Sequence, residues 1–162
     1  MTGHFDIALF DVDAGLQVRL GYKRIYCAGR DVLVSPHPAP GTPAIATGSD
    51  AGMLIPELRK PDVIGIAFDG NRLDKKAIEK AAEYGKTVFM PVGRFTELSG
   101  RERVSALHAL SKIFFAAHAL RARAMMVTLA GSRTQLLSTA QMRELAQLVS
   151  GRQGSWAVGD FL

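Results

Sequence analysis

The sequence predicts an α/β fold built on a parallel sheet, because apolar runs alternate with amphipathic stretches of helical length in the second half of the chain. We expect strands at residues 63–68, 86–90 and 124–129. We expect helices at residues 73–84, 100–121 and 139–150. A helix of this length between two strands acts as a crossover, so the strands it joins are parallel. The strands are almost continuously apolar, which is typical of a parallel sheet buried on both faces.

The first sixty residues are less regular but continue the same pattern. Strands are expected at residues 5–10, 23–28 and 31–34, and short helices at residues 13–20 and 53–60. Pro56 is expected in the first turn of the second of these helices, where proline is tolerated. Four prolines and three glycines predict a long surface loop at about residues 35–52. No stretch has the composition of a linker, so we expect residues 1–162 to form a single domain.

The balance of charge favours an anionic partner. Lys and Arg number 20 against 15 Asp and Glu, which gives a formal net charge of +5. A basic surface that only keeps the protein in solution explains this charge equally well. No apolar stretch reaches the roughly 20 residues needed to span a bilayer, and the first residues do not resemble a signal peptide. We therefore expect a cytoplasmic protein without a membrane partner.

The positions of the arginines shift the balance toward nucleic acid. Loops at the ends of parallel strands commonly carry the ligand site, and Arg72, Arg94 and Arg133 stand in the loops after three predicted strands. Arg101 and Arg103 begin the long helix, where the helix dipole disfavours cations. Helix stability therefore does not explain them, whereas the guanidinium fork suits phosphate recognition. The sequence predicts RNA binding by these five arginines.

The chain shows no pattern of residues that predicts catalysis or a bound metal. Cys27 is the only cysteine and lies in an apolar run, which indicates a buried structural thiol. Asp6, Asp11 and Asp13 are close in sequence, but Asp6 and Asp11 tend to face opposite sides of an extended segment. No histidine pair has the spacing of a zinc site. We therefore predict no catalytic residue, no metal and no cofactor in this chain.

Several segments resemble protein component three of archaeal ribonuclease P, the relative of the eukaryotic thirty-kilodalton subunit. The resemblance is clearest from residue 60 to residue 152 and looser before it. Around the first clear helix, it is carried by the Leu73-Asp74 helix start and by the Ala81-x-x-x-Gly85 helix end before a strand. Further along, it is carried by the segment 94–103 with its Gly-x-x-Arg step into a long helix, and by the strand, small-residue turn and final helix of residues 126–148. Near the start, Phe5-Asp6 and Leu20-Gly21-Tyr22 also resemble the family.

The resemblance implies a barrel of TIM type, shortened because 162 residues are few for eight strands. It also implies a subunit of the enzyme that removes the 5′ leader of precursor tRNA, in which the RNA performs the chemistry with Mg²⁺. The partners would be ribonuclease P RNA, a small protein subunit with an RNA-recognition-motif-like fold and, indirectly, precursor tRNA. Ala8 and Phe10 stand where related metal hydrolases of the polymerase and histidinol phosphatase type have ligand histidines, which fits a non-catalytic member.

An alternative from another functional class stays open. The chain would then be a stand-alone TIM-barrel-like enzyme that acts on a phosphorylated small molecule. Arg94, Ser132 and Arg133 would hold the phosphate, and Asp6 or Asp69 would serve as the acid or base.

Overall fold

The computed structural model describes residues 5–69 and 73–151, so Arg72 lies outside the described residues. Within these ranges the strands are β1 (Phe5–Ala8), β2 (Arg24–Cys27), β3 (Leu33–Ser35), β4 (Ala44–Gly48), β5 (Val63–Phe68), β6 (Thr87–Pro91) and β7 (Arg123–Val127). The α-helices are α1 (Ala14–Arg19), α2 (Ala51–Leu58), α3 (Lys75–Glu83), α4 (Gly100–Ala119) and α5 (Thr139–Ser150). Short 3₁₀ turns at Gly93–Thr96 and Arg133–Gln135 follow β6 and β7.

The structure is an α/β fold in which all strand pairs are parallel. Strands β3 to β7 form a five-stranded sheet in consecutive order, and β1 pairs with β2 in a separate ladder. A parallel bridge between Ala8 and Ala130 connects β1 to the segment after β7. A second parallel bridge, between Ala28 and Val32, connects the end of β2 to the start of β3. Single bridges therefore link the two ladders at both of their edges.

The strands bury side chains on both faces, as the apolar runs predict. On one face, alternate residues such as Val88 and Met90 pack with the buried sides of α2, α3, α4 and α5. On the other face lies a second apolar cluster, to which every strand or its immediate flank contributes. Its members are Ile7, Tyr26, Val32, Val34, Ile45, Ala67, Phe89, Met125, Val127 and Leu129.

The prediction of a loop at residues 35–52 is wrong for the second half of that segment. Strand β4 occupies Ala44–Gly48, and α2 begins at Ala51 with the Asp50 side chain as its cap. The remaining loop connects β3 directly to β4 without a helix. Because α2 begins earlier than predicted, Pro56 lies inside the helix rather than in its first turn. The glycine and proline content concealed a strand whose residues Ala44, Ile45 and Ala46 are fully buried.

In the sequence of the long helix α4, apolar residues recur at helical spacing, which predicts a wide buried stripe that includes Val104 and Phe115, with His108 and His118 partly buried beside it. The structure buries a narrower stripe. Leu110, Phe114 and Ala117 are buried as expected. Val104 and Phe115, however, are 68% and 54% exposed. The sheet contacts only one side of the helix, and these two side chains point away from it. His108 and His118 on the same helix are also exposed, although their flanking position in the stripe predicts partial burial.

Among the described residues, no helix combines the length and the apolar character required to cross a bilayer.

Candidate functional site

A groove of about 620 Å³ opens at the carboxyl ends of β5, β6 and β7. Its wall is formed by the strand ends, by the 3₁₀ turn after β6 and by the first four turns of α4. The lining residues are Phe68, Pro91, Arg94, Phe95, Leu98, Arg101, Glu102, Ser105, Ala106, Ala109, Leu110, Ile113, Thr128 and Leu129. In parallel α/β sheets this is the edge at which ligands bind.

The strand ends are held closely where the groove forms. The backbone N–H groups of Val92 and Gly93 donate to the carbonyl oxygens of Val127 and Thr128, at 2.9 and 2.8 Å. A Cβ atom at residue 93 would lie 2.5 Å from the Thr128 carbonyl oxygen, so only glycine fits there. This close approach fixes the turn that carries Arg94 relative to the end of β7.

Arg94 and Arg101 are the two cations that line the groove. Arg94 is exposed on the 3₁₀ turn, and Arg101 is exposed in the first turn of α4. Neither guanidinium group forms an ion pair within residues 5–69 and 73–151. Unpaired guanidinium groups on a concave surface are suited to an anionic ligand, because the planar fork can bind phosphate or carboxylate oxygens in pairs.

Arg103 lies next to the groove rather than in it. Its guanidinium carbon is 5.8 Å from the centre of the Phe95 ring, which is within the range of a cation–π interaction. Phe95 itself lines the groove. Arg103 therefore has a structural contact that the sequence did not reveal, and this contact supports the aromatic side chain of the groove.

Arg133 does not line the groove with Arg94 and Arg101, although its 3₁₀ turn contacts the turn that carries Arg94. Its guanidinium group lies 3.5 Å from the Asp13 carboxylate near the start of α1. The hydrogen bond from the Leu16 N–H, followed by the charge of Arg133, keeps the pKa of Asp13 below its usual value. Of the five predicted arginines, the structure thus groups Arg94, Arg101 and Arg103.

Of the residues that line the groove, only Arg94 and Arg101 were predicted from the sequence as site residues. Glu102 and Ser105 lie on the groove side of α4, together with Ala106 and Ala109. Their spacing of three and four residues marks a common helix face, and this spacing could have been read from the sequence. Leu129 has a positive φ of 42°, a conformation that is uncommon for residues other than glycine. No local sequence signal predicts that conformation.

Asp6 is fully buried and serves as a clamp between β1 and β7. Its Oδ1 accepts hydrogen bonds from the N–H groups of Ile7 and Thr128, at 2.8 and 2.7 Å. Its Oδ2 accepts a hydrogen bond from the Thr128 hydroxyl at 2.7 Å. Burial raises the pKa of Asp6 to about 6, although these hydrogen bonds act in the opposite direction.

Tyr22 completes the surroundings of Asp6. The Tyr22 hydroxyl donates to the Leu137 carbonyl oxygen at 2.9 Å. Burial and the nearby Asp6 carboxylate raise the pKa of this phenol above its usual value. Asp6 is therefore enclosed on the outer side of β1, where no groove-bound substrate can reach it.

The structure does not bring Ser132, Arg133 and Asp69, the other residues of the enzyme alternative, together in the groove. Ser132 Oγ lies 2.9 Å from Thr134 Oγ1, and neither Ser132 nor Arg133 lines the groove. Asp69 is exposed after the end of β5. In the part of the chain that the structure describes, no three His, Cys, Asp or Glu side chains converge as they would around a metal ion.

The site is thus an anion-compatible groove with an apolar wall, one carboxylate and two arginines that form no ion pair with any described residue. Comparison of the chain with models of known protein families gave no match, and comparison with curated proteins gave none either.

Proposed function

We propose that this protein is a non-catalytic subunit of ribonuclease P that binds and stabilises the catalytic RNA. The observation that carries the proposal is the pair of unpaired guanidinium groups of Arg94 and Arg101 in one groove at the carboxyl ends of three parallel strands. The net charge of +5 agrees with a polyanionic partner. The choice of ribonuclease P RNA as the partner rests on the segments that resemble the archaeal protein component.

The fold that goes with this proposal is a shortened TIM-barrel-like barrel of seven strands. The consecutive order of β3 to β7 supports it, because right-handed crossovers then put all helices on one face. The bridges at both ladder edges offer a path for closure. The second apolar cluster supports it further, since it would fill the barrel interior with side chains from all strands.

The proposed division of labour is the one that the resemblance implies, in which the RNA performs the chemistry. The RNA, with its bound Mg²⁺, would cleave the 5′ leader of precursor tRNA in the cytoplasm. This chain would neutralise phosphate charge where the RNA folds, together with a small protein subunit of RNA-recognition-motif-like fold. Arg94, Arg101 and Arg103 would contact phosphates directly, while Arg72 and Arg133 would extend the basic surface.

Replacing Arg94, Arg101 and Arg103 together by Ala should weaken binding to structured RNA. With each phosphate contact that is lost, binding releases fewer counterions. The slope of log K against log salt should therefore become shallower by about one unit per lost contact. The measurement is a binding titration with ribonuclease P RNA at several salt concentrations.

A charge-matched control is the triple substitution of Arg59, Lys75 and Lys76 by Ala. These cations are exposed around α2 and α3 and do not line the groove. The control should retain the salt slope that the groove variant loses. Equal salt slopes for the two triple variants would show that the groove is not part of the RNA interface.

We also expect the protein to raise cleavage by its RNA most strongly at low Mg²⁺. Repulsion between RNA phosphates opposes folding and substrate docking, and both a cationic protein and Mg²⁺ relieve it. Cleavage of precursor tRNA should be followed across a Mg²⁺ series with RNA alone, with this protein, and with this protein and its partner subunit. The stimulation should shrink as Mg²⁺ rises. Cleavage by the protein without RNA would overturn the subunit proposal.

The second candidate is an enzyme that acts on a phosphorylated small molecule. It is favoured by the groove volume, which falls within the roughly 300–1,000 Å³ of small-molecule sites. It is disfavoured by the burial of Asp6 and by the position of Arg133, which pairs with Asp13 and does not line the groove. Turnover of small phosphate esters that is lost in Arg94→Ala would favour this candidate.

A further inference from the structure

We propose that the groove holds one unstacked RNA nucleotide, with its phosphate on Arg94 and Arg101 and its base against Phe95 and Leu98. This inference rests on the RNA-binding function proposed above and specifies the form of RNA that the site accepts. The groove combines two kinds of surface, an apolar wall and a pair of exposed cations.

The groove wall is mostly apolar, although its cations suit an anion. Apart from Arg94, Arg101, Glu102, Ser105 and Thr128, every lining residue is apolar. A phosphate alone would leave this apolar wall in contact with water. The backbone of a duplex would do the same, because its bases stay stacked inside the helix. A nucleotide turned out of the stack offers both a phosphate and a flat apolar ring, so it matches both surfaces.

The volume agrees with one such unit. About 620 Å³ lies in the range of sites that enclose small molecules, and it is too small for a segment of duplex. The groove therefore selects a single protruding nucleotide rather than a length of helix.

Phe95 is prepared for contact with a base. Its ring is half-buried in the groove wall, and the Arg103 guanidinium group lies over it at 5.8 Å. This contact orients the ring before any ligand arrives. Bases stack on aromatic side chains irrespective of their sequence, so Phe95 would contribute affinity rather than discrimination.

Glu102 gives the groove its discrimination between bases. Its carboxylate lies in the first turn of α4, where the helix dipole favours an anion, but it would repel a phosphate bound in the groove. A carboxylate accepts hydrogen bonds from the exocyclic amino group of a base, such as N4 of cytosine. Uracil has no amino group. The groove should therefore prefer cytosine over uracil.

The test measures the affinity of the full chain for a labelled single-stranded hexacytidylate, a hexauridylate and a six-base-pair RNA duplex at fixed salt. The hexacytidylate should bind about tenfold more tightly than the duplex. Phe95→Leu, which keeps an apolar side chain but removes the ring, should lose about tenfold in hexacytidylate affinity. Glu102→Gln should reduce the preference for hexacytidylate over hexauridylate.

Phe115→Leu is the matched control, because Phe115 is an exposed phenylalanine on α4 that does not line the groove. It should bind hexacytidylate like the unmodified protein. Equal affinity for single strand and duplex, together with no effect of Phe95→Leu, would overturn the nucleotide site but leave RNA binding in place. Failure to bind structured ribonuclease P RNA would overturn the proposed function itself.

Discussion

Asp6→Ala is expected to lower the free energy of unfolding by about 4 kcal/mol at pH 5, the larger part of the stability of many domains. The substitution leaves the N–H groups of Ile7 and Thr128 without their acceptor in a fully buried place, and the Thr128 hydroxyl keeps only its longer bond of 3.3 Å to the Ile7 carbonyl oxygen. Each buried donor without a partner costs about 1–3 kcal/mol. The two bonds from Thr128 join β1 to the residue directly after β7, which is 122 positions from Asp6 in the chain. Urea unfolding at pH 5 measures the loss.

Two companion variants separate the clamp from the loss of any carboxylate. Asp6→Asn keeps a carbonyl oxygen for the two backbone N–H groups, and the Thr128 hydroxyl can turn to accept a hydrogen bond from the amide. We expect this variant to lose only about 1 kcal/mol. Asp69→Ala removes an exposed carboxylate after β5 and should change stability by less than about 0.5 kcal/mol. Equal stability of Asp6→Ala and Asp69→Ala would contradict the clamp.

The clamp also predicts a dependence of stability on pH. The pKa of Asp6 is raised to about 6 from its ordinary 3.8, so folding favours the protonated carboxyl. The contribution of the protonated Asp6 carboxyl to the free energy of unfolding is fully present below about pH 4 and is lost as the pH rises through 6. A shift of about two units corresponds to about 3 kcal/mol. The stability difference between the unmodified protein and Asp6→Asn should fall across this window, and a constant difference would contradict the burial of the charge.

Gly65→Ala is expected to destabilise the protein by at least about 4 kcal/mol. Gly65 pairs with Thr87 between β5 and β6. A Cβ atom at residue 65 would overlap the Thr87 carbonyl oxygen and lie 2.7 Å from Cε2 of Phe89. The backbone of β6 cannot move away without breaking its pairing with β7, so the strain cannot be relieved locally. Thermal unfolding followed by circular dichroism measures the effect.

Gly131→Ala is the matched glycine substitution. Residue 131 has an ordinary negative φ, and the nearest atom to its added Cβ would be the Gln135 side chain at an acceptable 3.5 Å. We expect this variant to unfold within a few degrees of the unmodified protein. A similar loss of stability in Gly65→Ala and Gly131→Ala would contradict the steric explanation, because only residue 65 has the close approach of Thr87.

The sequence predicted the second half of the fold well because its signals there are local. The predicted strand at residues 63–68 and the predicted final helix at residues 139–150 match β5 and α5 in their bounds. The final helix carries a capping box from Ser138 and Gln141 and ends at Gly151 in a left-handed conformation. These signals act within a few residues, so the chain alone reveals them.

Strand β4 was missed because its signal is not local. Ala44–Gly48 is short, contains glycine and follows several prolines, so its own residues indicate a loop. Pairing with β3 on one side and β5 on the other makes it a strand. The same reason explains Val104 and Phe115, which have the apolar character of core residues but lie on the side of α4 that the sheet does not cover.

The candidate site divides in the same way. The sequence by itself determined that arginines gather after the strands and at the start of α4, since parallel βα units bring their loops to one edge. Only the tertiary structure decided that Arg94 and Arg101 share a groove, that Arg103 lies over Phe95 and that Arg133 pairs with Asp13. These outcomes depend on distances between residues far apart in the chain. A pattern of residues gives the edge at which a side chain emerges, whereas packing decides which neighbour it meets there.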